Sequence, residues 1–87
     1  MIKDIKIIYY VDSDDNTKGA LMAFPSDKDL RTKEVRDEMA RALVDANFGN
    51  QSHCDTIAWE IAHNGMSETI CGMGRYEFGI EETELYY

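Results

Sequence analysis

The sequence predicts an α+β fold, a single two-layer domain over residues 1–87. Its elements run ββααββ, giving a mostly antiparallel four-stranded sheet with two helices on one face. Three observations predict this. Apolar residues alternate over residues 5–11 and again over 76–80, the period of two that marks a half-buried strand. Between them, Val35, Met39, Ala42, Leu43 and Ala46 recur at steps of three and four, the stripe of an amphipathic helix. At 87 residues the chain has one thin core and little interior for a deep cleft.

In the first strand Ile5, Ile7, Tyr9 and Val11 share one parity, and Asp4, Lys6, Ile8 and Tyr10 the other. One face is fully apolar and the other mixed. A polar loop over residues 12–18 leads into a second strand over 20–24, closed by Pro25, so the pair reads as a hairpin. Ser26, Asp29 and Thr32 are each candidate caps for the helix that follows, and Gly49 is its expected stop, with Phe48 packing beneath. Lys33–Asp37 and Asp37–Arg41 are opposite-charge pairs four residues apart on its solvated face.

Residues 52–65 read either as a helix or as a strand. The helix is preferred because it has a start signal, Ser52 with Asp55 three residues on, and a stop signal, Asn64-Gly65. Ile57, Ala58, Ile61 and Ala62 then form the buried stripe, with Trp59 at its edge. Residues 68–73 read as a short strand and 72–74 as a turn or bulge. In the tail, Tyr76, Phe78 and Ile80 alternate with Glu77, Gly79 and Glu81. Past Glu81 the parity slips, because Glu82 and Glu84 fall where apolar residues would continue. The strand is expected to end there or to carry a bulge.

The net charge is −8 and uneven. Residues 1–41 carry nine acids and eight bases, whereas residues 42–87 carry eight acids and one base, Arg75. Such a field attracts basic partners and repels nucleic acid and anionic membranes. Direct nucleic-acid binding and membrane association are therefore not expected. No stretch approaches a membrane span or an export signal, and Cys54 and Cys71 read as reduced thiols, so the expected compartment is the cytoplasm.

Candidate chemistry is thin. Asp12, Asp14 and Asn16 match the start of a calcium loop, but Thr17 and Ala23 stand where it needs glycine and a bidentate glutamate. His53, Cys54, His63 and Cys71 have the residue types for zinc or a Cys–His nucleophile without the spacing, and the local negative charge opposes a thiolate. No phosphate-cradling glycine loop is present. The chain is read as non-catalytic and without a cofactor.

What remains is acidic and aromatic. Glu77, Glu81, Glu82, Glu84, Tyr86 and Tyr87, with Asp55 and Glu60 and the nearby Asp45, are the candidate partner-binding residues. Carboxylates beside tyrosines suit contact with a basic protein surface; the alternative is an acidic edge that discourages strand aggregation. In size and charge the chain is similar to the small acidic inhibitors that phages direct against host defence or transcription enzymes, anti-CRISPR proteins among them. The resemblance is one of class and rests on no motif. It implies an inhibitor or adaptor, in its sharper form a nucleic-acid mimic docked in the groove of a host enzyme. The competing expectation is a non-catalytic structural or regulatory subunit that self-associates.

Overall fold

The computed structural model describes residues 2–71 and 74–86, the Cys71 side chain excepted. The elements are β1 (Ile2–Asp12), β2 (Lys18–Pro25), α1 (Lys33–Asp45), α2 (Gln51–Asn64), β3 (Met66–Cys71) and β4 (Gly74–Tyr86). The order ββααββ and the α+β class are as the sequence predicts. All strand pairs are antiparallel, in the order β2-β1-β4-β3, so the first and last strands lie side by side in the middle. Both helices cover one face, α1 over β2 and α2 over β3 and β4.

The face that β1 turns to the helices is its mixed one. Ile8 is fully buried, and Tyr10 packs against the same core. The register explains the choice. Ile8 lies opposite Ile80, Tyr10 opposite Phe78 and Asp12 opposite Tyr76, so the apolar parity of β4 joins the even parity of β1. Phe24 and Met22 of β2, opposite Lys6 and Ile8, complete that face. The tail thus supplies a core strand, as its alternation predicts. A register shift between Ile8 and Tyr9 leaves Leu21 as an extra residue in β2, and Leu21 and Met22 both pack on the core. Phe48 lies edge-on to Tyr10, Tyr76 and Phe78, with ring centroids 5.3, 5.0 and 5.1 Å away, geometry favoured by the ring quadrupoles.

Local signals set the helix ends, with two corrections. Thr32 is the cap of α1, its side chain accepting from the Val35 amide. The helix stops before Gly49. Asn47 takes the left-handed conformation (φ 66°), its amide donates to the Val44 carbonyl, and the Phe48 amide donates to Leu43. These two bonds form a Schellman closure, which asparagine can supply because it tolerates left-handed backbone. The closure drives Phe48 into the core. α2 is a helix, and it begins earlier than expected: Asn50, not Ser52, is its cap and accepts from the His53 amide at 2.9 Å. Gly65 closes it with φ 77°, as the Asn64-Gly65 signal predicts.

The tail neither ends nor bulges at Glu81–Glu82. β4 pairs with β1 without interruption from Tyr76 to Tyr86. The parity slip has another cause. The cover over the sheet ends near Ile80, so positions 82 and 84 of the same face are in solvent and carry charge. The predicted turn at residues 72–74 falls partly outside the described residues.

The core assignment is checked by paired truncations. Ile8→Ala removes a fully buried side chain and should cost about 2–5 kcal/mol. Ile7→Ala, on the half-buried opposite face, should cost roughly 1 kcal/mol or less. Urea unfolding of both variants reads the difference.

Candidate functional site

Because the helices cover only one face of the sheet, the other is open. It carries the fully apolar parity of β1: Ile5, Ile7, Tyr9 and Val11, each half-buried between neighbouring strands. β3 adds Met66 and Ile70, which are 59% and 73% exposed. β4 contributes Glu77, Gly79, Glu81 and Thr83, opposite Val11, Tyr9, Ile7 and Ile5 in turn. An apolar row is thereby bordered by two carboxylates, Glu77 and Glu81, four strand positions and roughly 13 Å apart with Gly79 between them.

Tyr9 lies flat on this face because Gly79 beneath it has no side chain; a Cβ there would sit 2.6 Å from the tyrosine oxygen. Gly19 makes the same room for Tyr10 on the helix side, where a Cβ would come within 2.4 Å of the ring. Lys18 caps Tyr9 with its ammonium 4.3 Å from the ring centroid and also reaches the Glu81 carboxylate at 3.3 Å. Both groups are half exposed, so the ion pair positions the side chains more than it stabilises the fold.

One feature of the register is unfavourable. Glu68 of β3 lies directly opposite Glu77 of β4 on the open face. On the other face, beyond the helices, Asp4 lies opposite Glu84. Like charges in directly opposed strand positions repel and destabilise the sheet. Among the described residues the ion pairs are Lys18–Glu81, Arg31–Asp29 and Lys33–Asp37, so no described cation bridges either acidic pair. A shallow hollow of about 330 Å³ is lined by Asp4, Ser26, Glu82, Thr83 and Glu84. Another of about 380 Å³ is lined by His53, Glu68, Thr69, Ile70 and Arg75.

The predicted site residues are therefore divided. Glu77 and Glu81 belong to the open face. Glu82 and Glu84 project from the opposite face at the far end of β4, where Tyr86 donates its phenol proton to Glu84 at 2.6 Å. Asp55 and Glu60 stand on α2, on the helix side of the sheet; Asp55 accepts from Gln51 and Glu60 from the Ser67 hydroxyl. They do not join the tail acids. Tyr87 lies outside the described residues. Glu68, Tyr9, Lys18 and the apolar row are the members the sequence reading did not single out as a site. The apolar parity of β1 was visible in the sequence, but its register against Glu77 and Glu81 was not.

The other sequence candidates disperse. Cys54 is buried in the core. His53 shares a hydrogen bond with the Thr69 hydroxyl, and His63, ten residues further along α2, stacks on Trp59 with centroids 4.2 Å apart. Among the described residues, no three His, Cys, Asp or Glu side chains gather as a metal site. In the β1–β2 loop the carboxylates serve the backbone: Asp12 accepts from the Asp14 amide, and Asp15 from the amide and hydroxyl of Thr17. The Thr17 bonds, the hydroxyl foremost, hold the Asp15 carboxyl below the ordinary range. Bonds from Arg31, its amide foremost, do the same for Asp29. No helix among the described residues is long and apolar enough to cross a membrane. Comparison with family models, with curated proteins and with solved structures finds no match.

The hydrogen bond to Glu84 raises the Tyr86 phenol above its ordinary range. The bond needs the protonated phenol, so its contribution is present below the free phenol's pKa and is lost as pH rises through the raised one. Ultraviolet or NMR titration should find Tyr86 ionising later than a free tyrosine, and Glu84→Gln should move it back.

Proposed function

We propose that the protein is a small, non-catalytic, acidic inhibitor or adaptor that docks on a basic protein surface. The observation that carries this reading is the opposed Glu68–Glu77 pair beside an uncovered apolar sheet face. A chain selected only for stability gains nothing from that pair, whereas a partner's Lys or Arg placed between the two carboxylates relieves the repulsion on binding. The apolar row supplies the non-directional part of the contact, and Tyr9 an amphipathic ring of the kind enriched at interfaces. The finer form of the proposal is a phage-type antagonist acting in the cytoplasm. In that form the carboxylates take the place of phosphates in the groove of a host defence or nucleic-acid-binding enzyme.

The test separates charge kept for function from charge kept for the fold. Glu77→Gln removes the opposed pair and should leave stability unchanged or raised by about 0.2–1 kcal/mol. The same variant should bind its partner more weakly, through a slower on-rate and a flatter salt dependence. The assay is capture from native lysate at low and high salt, followed by kinetics on the purified partner. Glu77→Gln binding its partner as tightly as the parent, at every salt concentration, contradicts the proposal. For the finer form, DNA or RNA should compete with the protein for the partner; failure to compete removes the mimicry and leaves an ordinary acidic interface.

A further inference from the structure

β4 is longer than the strand beside it. β3 pairs with it only from Gly74 to Gly79, and at Gly65 the chain leaves the sheet for α2. From Ile80 to Tyr86, β4 pairs with β1 on one side, and among the described residues no strand lies on the other. The hydrogen-bond phase shows which main-chain groups are left. The Ser13 amide donates to the Arg75 carbonyl at 2.9 Å, so Arg75 points its main chain at the β1 side. By antiparallel alternation residues 77, 79, 81, 83 and 85 do the same, and the even residues point away. Ser26 donating to Asp4, the residue opposite Glu84, agrees: Asp4 turns its carbonyl to β2. The N–H and C=O groups of Glu82, Glu84 and Tyr86 therefore form an open strand edge, and all three residues are exposed.

We propose that this edge receives an extended basic segment of the partner as a fifth strand, laid along residues 80–86 in line with β3. The inference rests on the reading of the acidic half as a docking surface and adds its mode. Strand addition satisfies the open donors and acceptors, and flanking side chains choose the occupant. Here the flanks are Glu81, Thr83 and Leu85 on one face and Glu82 and Glu84 on the other. A second copy of the chain is a poor occupant. Antiparallel pairing of β4 with itself about Thr83 sets Glu82 opposite Glu84 twice, a repulsive arrangement. A segment alternating lysine with an apolar residue meets both the charge and the hydrogen-bond phase.

The probe is a synthetic heptapeptide, Lys-Val-Lys-Val-Lys-Val-Lys with blocked ends, titrated into the ¹⁵N-labelled protein and followed by NMR. The amides of Glu82, Glu84 and Tyr86 should shift and gain exchange protection, while those of Glu81, Thr83 and Leu85, already bonded to β1, change little. Glu84→Pro removes one outward donor without touching the β1 ladder and should weaken the peptide roughly tenfold; Glu84→Gln keeps the donor and should weaken it roughly two- to threefold. An all-glutamate analogue of the peptide should not bind. Shifts centred on Ile7, Tyr9, Glu68 and Glu77 overturn strand addition and leave acidic docking intact. No shift at any amide also overturns it, and partner capture by the parent chain then judges the docking reading separately. Protection of Glu82 and Glu84 that grows with protein concentration alone assigns the edge to a second copy and overturns the basic occupant.

Discussion

The burial of Ile8 between the two strands that flank β1 and the helix layer fixes the rest of the molecule. Ile8 faces Ile80 on β4 and Met22 on β2, and Tyr10 beside it faces Phe78. With this parity inside, the aromatic cluster around Phe48 can form. Only α1's closure at Asn47 delivers Phe48 to that position. The opposite parity of β1, although fully apolar, is then committed to the uncovered face.

The same commitment explains the distribution of charge. Within the sheet's covered half, β4 alternates aromatic or aliphatic residues with acids or glycine. Beyond Ile80 no described helix covers β4, so its core-side parity turns from apolar to charged at Glu82 and Glu84 without any break in pairing. The four acids of β4 therefore form two groups on opposite faces of the strand. Glu77 and Glu81 border the apolar row, and Glu82 and Glu84 flank an open main-chain edge. A partner that wraps that edge touches both groups, whereas a flat surface laid against either face touches one. The opposed Glu68–Glu77 and Asp4–Glu84 pairs cost the isolated chain stability, and the cationic partner proposed above would restore it.

Much of the architecture was legible in the residues. Period-two runs in β1 and β4, the three-and-four spacing of α1 and the Asn64-Gly65 stop are local signals, and each produced its element. Legibility failed where the outcome depended on register or on competition between adjacent signals. Asn47 ended α1 ahead of Gly49 because its closure also buries Phe48, and Asn50 capped α2 ahead of Ser52. The slip at Glu81–Glu82 resembled a bulge because a sequence does not say how far the covering layer extends. For the site, Glu77 and Glu81 were singled out from the tail alone. Glu68 and the apolar row came into view only with the pairing of β4 to β3 and β1, which are contacts between distant parts of the chain.

The central claim is that the sheet has one covered and one open face, and methyl NMR with a soluble paramagnetic agent tests it directly. The methyl signals of Ile5, Ile7, Val11 and Ile70 should broaden strongly, while those of Ile8, Ile57 and Ile61 remain sharp. Ile7 as well protected as Ile8 in dilute solution would contradict the account, since the face read as open would then be closed by the chain itself.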